Sequence, residues 1–311
     1  MQLERSGNTI EQQLNHAVDL SLKKRPALKT VVQPFAAVLI KRASIIDEIK
    51  KEGALFDIKH SADRLSSGVP VATDLSFAGL KEILEKSFAD LLPVLKKSFP
   101  KLDADFSAIA SSFDKGEYDL CKLAQAFVQG NDLVFQSALP NDSGLAGTLG
   151  FVVNWTLSAL LNAARIQWKE ASGDVHWSKG YCPFCGFLPA IASLSRGQGP
   201  DSEFTTGGGG QRYLHCALCG HHWRFERIRC PGCHTNDKDH LVYFQEPGEP
   251  AERIDACRNC NRYLLCIDLR KTDPPPLLDL AAVEMVYLDI LAREKGFSPM
   301  TWTPWNRIDE P

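Results

Sequence analysis

The sequence predicts an α+β protein: an N-terminal helical bundle, then two tetracysteine, zinc-ribbon-like metal-binding units, then a C-terminal helix. Three observations carry that reading. Nine cysteines fall between Cys182 and Cys266, leaving Cys121 alone upstream. Before about residue 175, apolar residues recur at three- and four-residue steps, the period of an amphipathic helix. From Gly180 to about Arg270 the chain changes to short runs divided by Gly, Pro, Asn and Asp, as strands and turns do.

The helical part comes first. PFAAVLIKRASIIDEIKKE (34–52), LSFAGLKEILEKSFADLLPVLKKSF (75–99) and LAGTLGFVVNWTLSALLNAARIQWKEA (145–171) each read as a helix. In the second, Leu80, Ile83, Leu84, Phe88, Leu91 and Leu92 form one stripe, and Pro93 is expected to kink or split the helix. The least charged apolar run, GFVVNWTLSALLNAA (150–164), is shorter than the ~20 residues that span a bilayer, so it reads as a buried core helix. The start, MQLERSGNTIEQQLNHAVDL, lacks the apolar core of a secretory signal. A cytoplasmic location is therefore expected, where thiols stay reduced and ten cysteines argue for metal or thiol chemistry rather than disulfides.

The strand-rich part holds RYLHC, HWRFERI, HLVYF and RYLLCID. After Pro274, Pro275 and Pro276, LLDLAAVEMVYLDILAREKGF (277–297) returns to helical periodicity, with Gly296 at its end. That helix is expected to pack on the bundle or cap the metal region. The division is thus 1–175 helical, 176–222 first tetracysteine unit, 223–271 second tetracysteine unit, and 272–311 C-terminal helix and tail. Beyond the cysteine pairs no internal repeat is evident, and the short glycine run at 207–210 reads as a loop.

Four Cys-x-x-Cys pairs lie in this part: Cys182/Cys185, Cys216/Cys219, Cys230/Cys233 and Cys257/Cys260. Each makes a tight knuckle that aims two thiolates at one ion, and Gly or a small polar residue just after the second Cys suits the turn. Tetrahedral coordination takes four thiolates, so eight make two closed sites. Three pairings of the knuckles are open. The ten residues between Cys219 and Cys230 include HHWRFERIR, which alternates and holds no turn residue. Read as one continuous strand, it separates the second knuckle from the third. Sequential pairing follows: Cys182, Cys185, Cys216 and Cys219 on one ion, Cys230, Cys233, Cys257 and Cys260 on the other. A hairpin pairing and a cross-braced one are the alternatives. Within the first unit a flexible loop, SRGQGPDSEFTTGGGG, joins the knuckles.

A closed tetrathiolate shell leaves no position for substrate, and no catalytic residue, nucleotide cradle or other cofactor site stands out, so an enzyme is not expected. Softness and geometry admit Zn(II) and iron equally. Cys266 and Cys121 read as packing thiols, and His215, His221, His222 and His234 as neighbours of the knuckles rather than ligands. Nucleic-acid binding is disfavoured: the chain carries a formal charge of -3, and ten basic and ten acidic residues between Tyr181 and Arg270 cancel before the thiolates are counted. Composition, 44% hydrophobic and 23% charged, fits a folded globular chain.

The order of a helical half, YCPFCG, GGGGQRYLHCALCGHHWRFERIRCPGCH, DACRNCNRYL and DLAAVEMVYLDILAREKGF resembles the formate dehydrogenase accessory protein family, FdhE. CRNCN departs from it slightly in lacking the Gly that follows the first two knuckles. The resemblance implies a cytoplasmic, chaperone-like protein with two rubredoxin-like tetracysteine iron sites. It would assist maturation of respiratory formate dehydrogenase by binding the catalytic subunit. On that footing iron is the expected metal and zinc the alternative. A zinc-ribbon scaffold for protein binding and a small electron-transfer protein are the other readings.

Overall fold

The computed structural model describes residues 10–54, 56–58, 62–130, 143–172, 175–195 and 210–307. The chain divides into two compact units, Met1–Val175 with Phe184–Gly186, and His176–Pro183 with Phe187–Pro311.

The first unit is helical: α1 (Ile10–Lys24), α2 (Lys29–Lys51), α3 (Ala62–Ser66), α4 (Lys81–Ser98), α5 (Asp103–Asp114), α6 (Leu120–Val128) and α7 (Ser143–Ser172). Helix α2 packs against α1, α4 and α7. It does so through Val32, Phe35, Val38, Leu39, Ile45, Ile46 and Ile49, whose three- and four-residue steps place them on one buried face. Helix α7 buries Val152, Val153, Leu157, Leu160 and Leu161. Its segment Gly144–Lys169 is long and apolar enough to cross a membrane by length and composition, yet most of it is buried inside the fold. The apolar run at 150–164 is the middle of a 30-residue core helix.

Pro93 does not split its helix. Helix α4 continues through it to Ser98. Both Pro93 and Ala89, whose carbonyl loses its donor, lie on the exposed face, so the unpaired oxygen is on the solvent side of the helix.

In the second unit, β1 (Pro189–Leu194), β2 (Arg212–Cys216), β3 (His222–Phe225), β4 (Leu241–Phe244), β5 (Glu252–Cys257), β6 (Arg262–Asp268) and the two-residue β7 (Ser298–Pro299) form one sheet. Its order is β3-β2-β1-β6-β5-β4, with β7 on β6. Strands β1 to β3 are an antiparallel meander, and so are β4 to β6. The two meanders join through the parallel pair β1 and β6, in register Ile191 to Leu265. Each meander has the same plan: knuckle, strand, strand, knuckle, strand. The second therefore repeats the first, displaced sideways along one sheet. The joining loop expected at 195–210 lies almost wholly outside the described residues.

The continuous strand expected from His222 to Ile228 is cut short. β3 ends at Phe225, which pairs with Arg212, the first residue of β2. Past that pair β2 offers no further ladder partner, and the chain turns, held by an ion pair of 2.8 Å between Arg229 Nη1 and Glu226 Oε1.

The C-terminal helix is likewise two helices, α8 (Leu278–Glu284) and α9 (Val286–Glu294), separated at Met285. They lie on the sheet: Ala281, Ala282, Met285, Leu288 and Ala292 pack into one cluster with Ile191, Ile254, Leu265 and Ile267. Gly296, at φ +82°, ends α9. There the Phe297 N–H donates to Ala292 O and the Gly296 N–H to Arg293 O, the paired bonds of a glycine-terminated helix.

Candidate metal centres

All four knuckles are built alike. In each of the first three, the N–H of the leading cysteine donates to the carbonyl five residues on, at 2.8 Å: Cys182 to Phe187, Cys216 to His221, Cys230 to Thr235. In the fourth, Cys257 pairs with Arg262, again five residues on, as the last rung between β5 and β6. The residue after the second cysteine is left-handed every time: Gly186 at φ +81°, Gly220 at +65°, His234 at +60° and Asn261 at +52°. Glycine adopts this region freely, and Asn and His are enriched there among other residues. CRNCN departs in residue type while keeping the backbone form.

Backbone and amide donors then meet the sulfurs. Leu218 N–H lies 3.4 Å from Cys216 Sγ, and Gly232 N–H 3.3 Å from Cys230 Sγ. The Asn259 side-chain amide donates to Cys233 Sγ at 3.3 Å. Asn259 was missed at the sequence level; an amide in the middle of a Cys-x-x-Cys is the signal that could have found it.

The eight thiols gather sequentially. Cys182, Cys185, Cys216 and Cys219 form one group and Cys230, Cys233, Cys257 and Cys260 the other, the sulfurs of each lying within 4.8 Å of one another. Individual sulfur separations are 3.6 Å (Cys182 to Cys219) and 3.7 Å (Cys230 to Cys260, Cys233 to Cys257). A tetrahedral ion about 2.3 Å from each thiolate requires edges of about 3.8 Å. Both groups therefore have the dimensions of a closed tetrathiolate site. All ten cysteines are free of disulfides.

The groups differ in exposure. The first is wholly buried, whereas Cys233 and Cys260 of the second are half-buried. Burial raises the thiol pKa of Cys230 and Cys260. It pushes Cys233 up as well, but the Asn259 amide, the Thr235 backbone and neighbouring thiols outweigh it and bring Cys233 down to about 6.

Neither group contains a histidine. His215 Nε2 is 2.8 Å from Asp279 Oδ1, His222 Nε2 is 3.0 Å from Ser193 Oγ, and His221 stacks on Trp223. Cys266 is fully buried in β6 beside Arg253 and Asp255, with its thiol pushed up to about 12, first by burial and then by the Asp255 charge. Cys121 is half-buried at the start of α6, where Asp119 caps its N–H at 3.0 Å. Neither joins a sulfur group.

No protein-family model matches the chain. A segment of 121 residues is 36% identical to the "Protein FdhE homolog" of Aquifex aeolicus, covering 39% of this chain and 40% of that protein. The Haemophilus influenzae "Protein FdhE homolog" is 32% identical over 128 residues, 40% of this chain and 38% of that one. This chain is related to the FdhE proteins. The matched part spans about two fifths of the length of these curated FdhE relatives. The crystal structure of the FdhE protein from Pseudomonas aeruginosa shares the fold, with a TM-score of 0.60 over 94% of this chain and 96% of that one, at 18% identity.

Proposed function

We propose that this protein is a cytoplasmic, chaperone-like accessory factor for respiratory formate dehydrogenase, not an enzyme, and that its eight knuckle cysteines bind two metal ions. The observation that carries the reading is the pair of sulfur tetrahedra with metal-sized edges, in a chain related to FdhE proteins. Four thiolates per ion fill the shell, so the metal has no open position at which to activate water. Iron in such a shell supplies a ferrous/ferric couple and is lost on thiolate oxidation. The half-buried Cys233 and Cys260 give the second site the contact with solvent that an oxygen or redox signal needs. On this reading, the metal region and helical unit hold the immature catalytic subunit while its state is reported.

The test is metal content of protein purified without oxygen, followed by capture of the catalytic subunit. About two irons per chain are expected from eight thiolates, with capture lost when Cys230→Ser removes one site. Two zincs per chain, with capture unaffected by Cys230→Ser, would overturn redox reporting. Full burial of the first group favours that second reading, a zinc-ribbon scaffold, for the first site alone.

A further inference from the structure

Beside the second sulfur group lies a cleft of about 250 Å³ between the chain after β3 and the β4–β5 hairpin. Six cations line it: Arg212, Arg227, Arg229, Lys238, Arg253 and Arg262. Asp255 is the one acidic residue among the described residues of the lining. It is shared, with Arg253 Nε 2.8 Å from one oxygen and Arg212 Nη2 3.3 Å from the other. Arg212 is only 5% exposed, and its Nε has no hydrogen-bond partner among the described residues. Two buried or half-buried guanidiniums thus face one carboxylate, and a buried cation without full compensation is costly.

The metal site does not neutralise the cleft. Cys230 and Cys257 reach its wall, and four thiolates on a divalent ion carry two negative charges. Six cations against those two charges and Asp255 leave three positive; Glu226, paired with Arg229, reduces the excess to two. The rest of the wall is apolar, with Val242, Ala256 and Leu264, and exposed Ile228 and Tyr243 also line it.

We propose that this cleft binds a small phosphorylated molecule, its phosphate held by the arginines and its organic part against the apolar wall. Several guanidinium forks converging on one space suit a group with many acceptor oxygens better than a single carboxylate. The site is independent of the accessory role and needs no knowledge of the protein partner.

The probe is inorganic pyrophosphate, titrated calorimetrically into full-length, metal-loaded protein at ionic strength fixed with potassium chloride. Saturable binding with Kd below about 1 mM is expected. Replacing the exposed Arg227 and Lys238 together by Gln should weaken it at least about tenfold, with metal content and Tm unchanged. Arg253→Lys, which keeps the charge and loses the fork, should weaken it too. Arg224→Gln, on the exposed face of β3 and outside the cleft, should leave affinity as it was. No saturation by about 10 mM, equal weakening by Arg224→Gln, or binding of polyglutamate in place of pyrophosphate would each overturn the assignment.

Discussion

At the third and fourth knuckles, His234 and Asn261 hold a left-handed backbone without being glycine, so their side-chain type matters. Asn261→Val should destabilise the metal-loaded protein by about 1–2 kcal/mol, because a β-branched residue is poorly accommodated there, while Asn261→Gly should be tolerated; thermal melts would separate the two. Exposure makes a second residue-scale prediction. During partial chelation, alkylation followed by mass spectrometry should label Cys233 and Cys260 while Cys182, Cys185, Cys216 and Cys219 stay protected. Labelling of all eight in parallel would contradict the asymmetry. The two sulfur groups were legible because spacing alone encodes a knuckle. The cleft was not, since its cations are scattered from Arg212 to Arg262 and cancel against acids in any count along the chain.

Elements were legible where their partners are local. Helical periodicity found α2, α4 and α7, and short runs divided by turn residues found most strands, but their ends depend on what lies alongside. β3 stops where β2 runs out of residues, which no pattern within β3 reports, whereas the place of Pro93 opposite the apolar stripe of α4 follows from the helical period itself. Close packing between knuckles is equally hidden: a Cβ added at Gly180 would overlap the Pro231 carbonyl. Gly180→Ala should therefore separate the approach to the first knuckle from the third, lowering Tm and the metal retained per chain, both measurable on one preparation. Helix α9 carries a pH prediction. Asp289 is buried and receives the Tyr263 hydroxyl at 2.6 Å; burial pushes its carboxyl up to about 7 against the pull of Tyr263 and Arg293. A carboxyl with a raised folded pKa stabilises the fold in full below the ordinary carboxylate range, and that stability is lost as pH rises through about 7. Wild-type Tm should fall across that range relative to Asp289→Asn, which cannot ionise; parallel slopes would refute it.

At the scale of the whole molecule, the α+β architecture was legible as a change of period near residue 175, and the single sheet was not. The two tetracysteine units were expected with no pairing stated between them, and the parallel seam of β1 and β6 joins their strands in one sheet. No short-range pattern reports a pairing between residues more than seventy positions apart, such as Ile191 and Leu265. Removal of metal tests this organisation, because thiolate sites of this kind supply folding energy to the strands they tie. A chelated sample should lose sheet signal in circular dichroism and keep its helical signal.

That seam also fixes a direction. β1 leaves the first knuckle and β6 leaves the fourth, and the two run parallel in register. Both sulfur groups consequently sit at one end of the sheet. A ribbon copied sideways in this way gives one chain two versions of a single device. One copy, sealed from water, secures the sheet; its twin, open at two cysteines and bordered by arginines, is free to serve another duty.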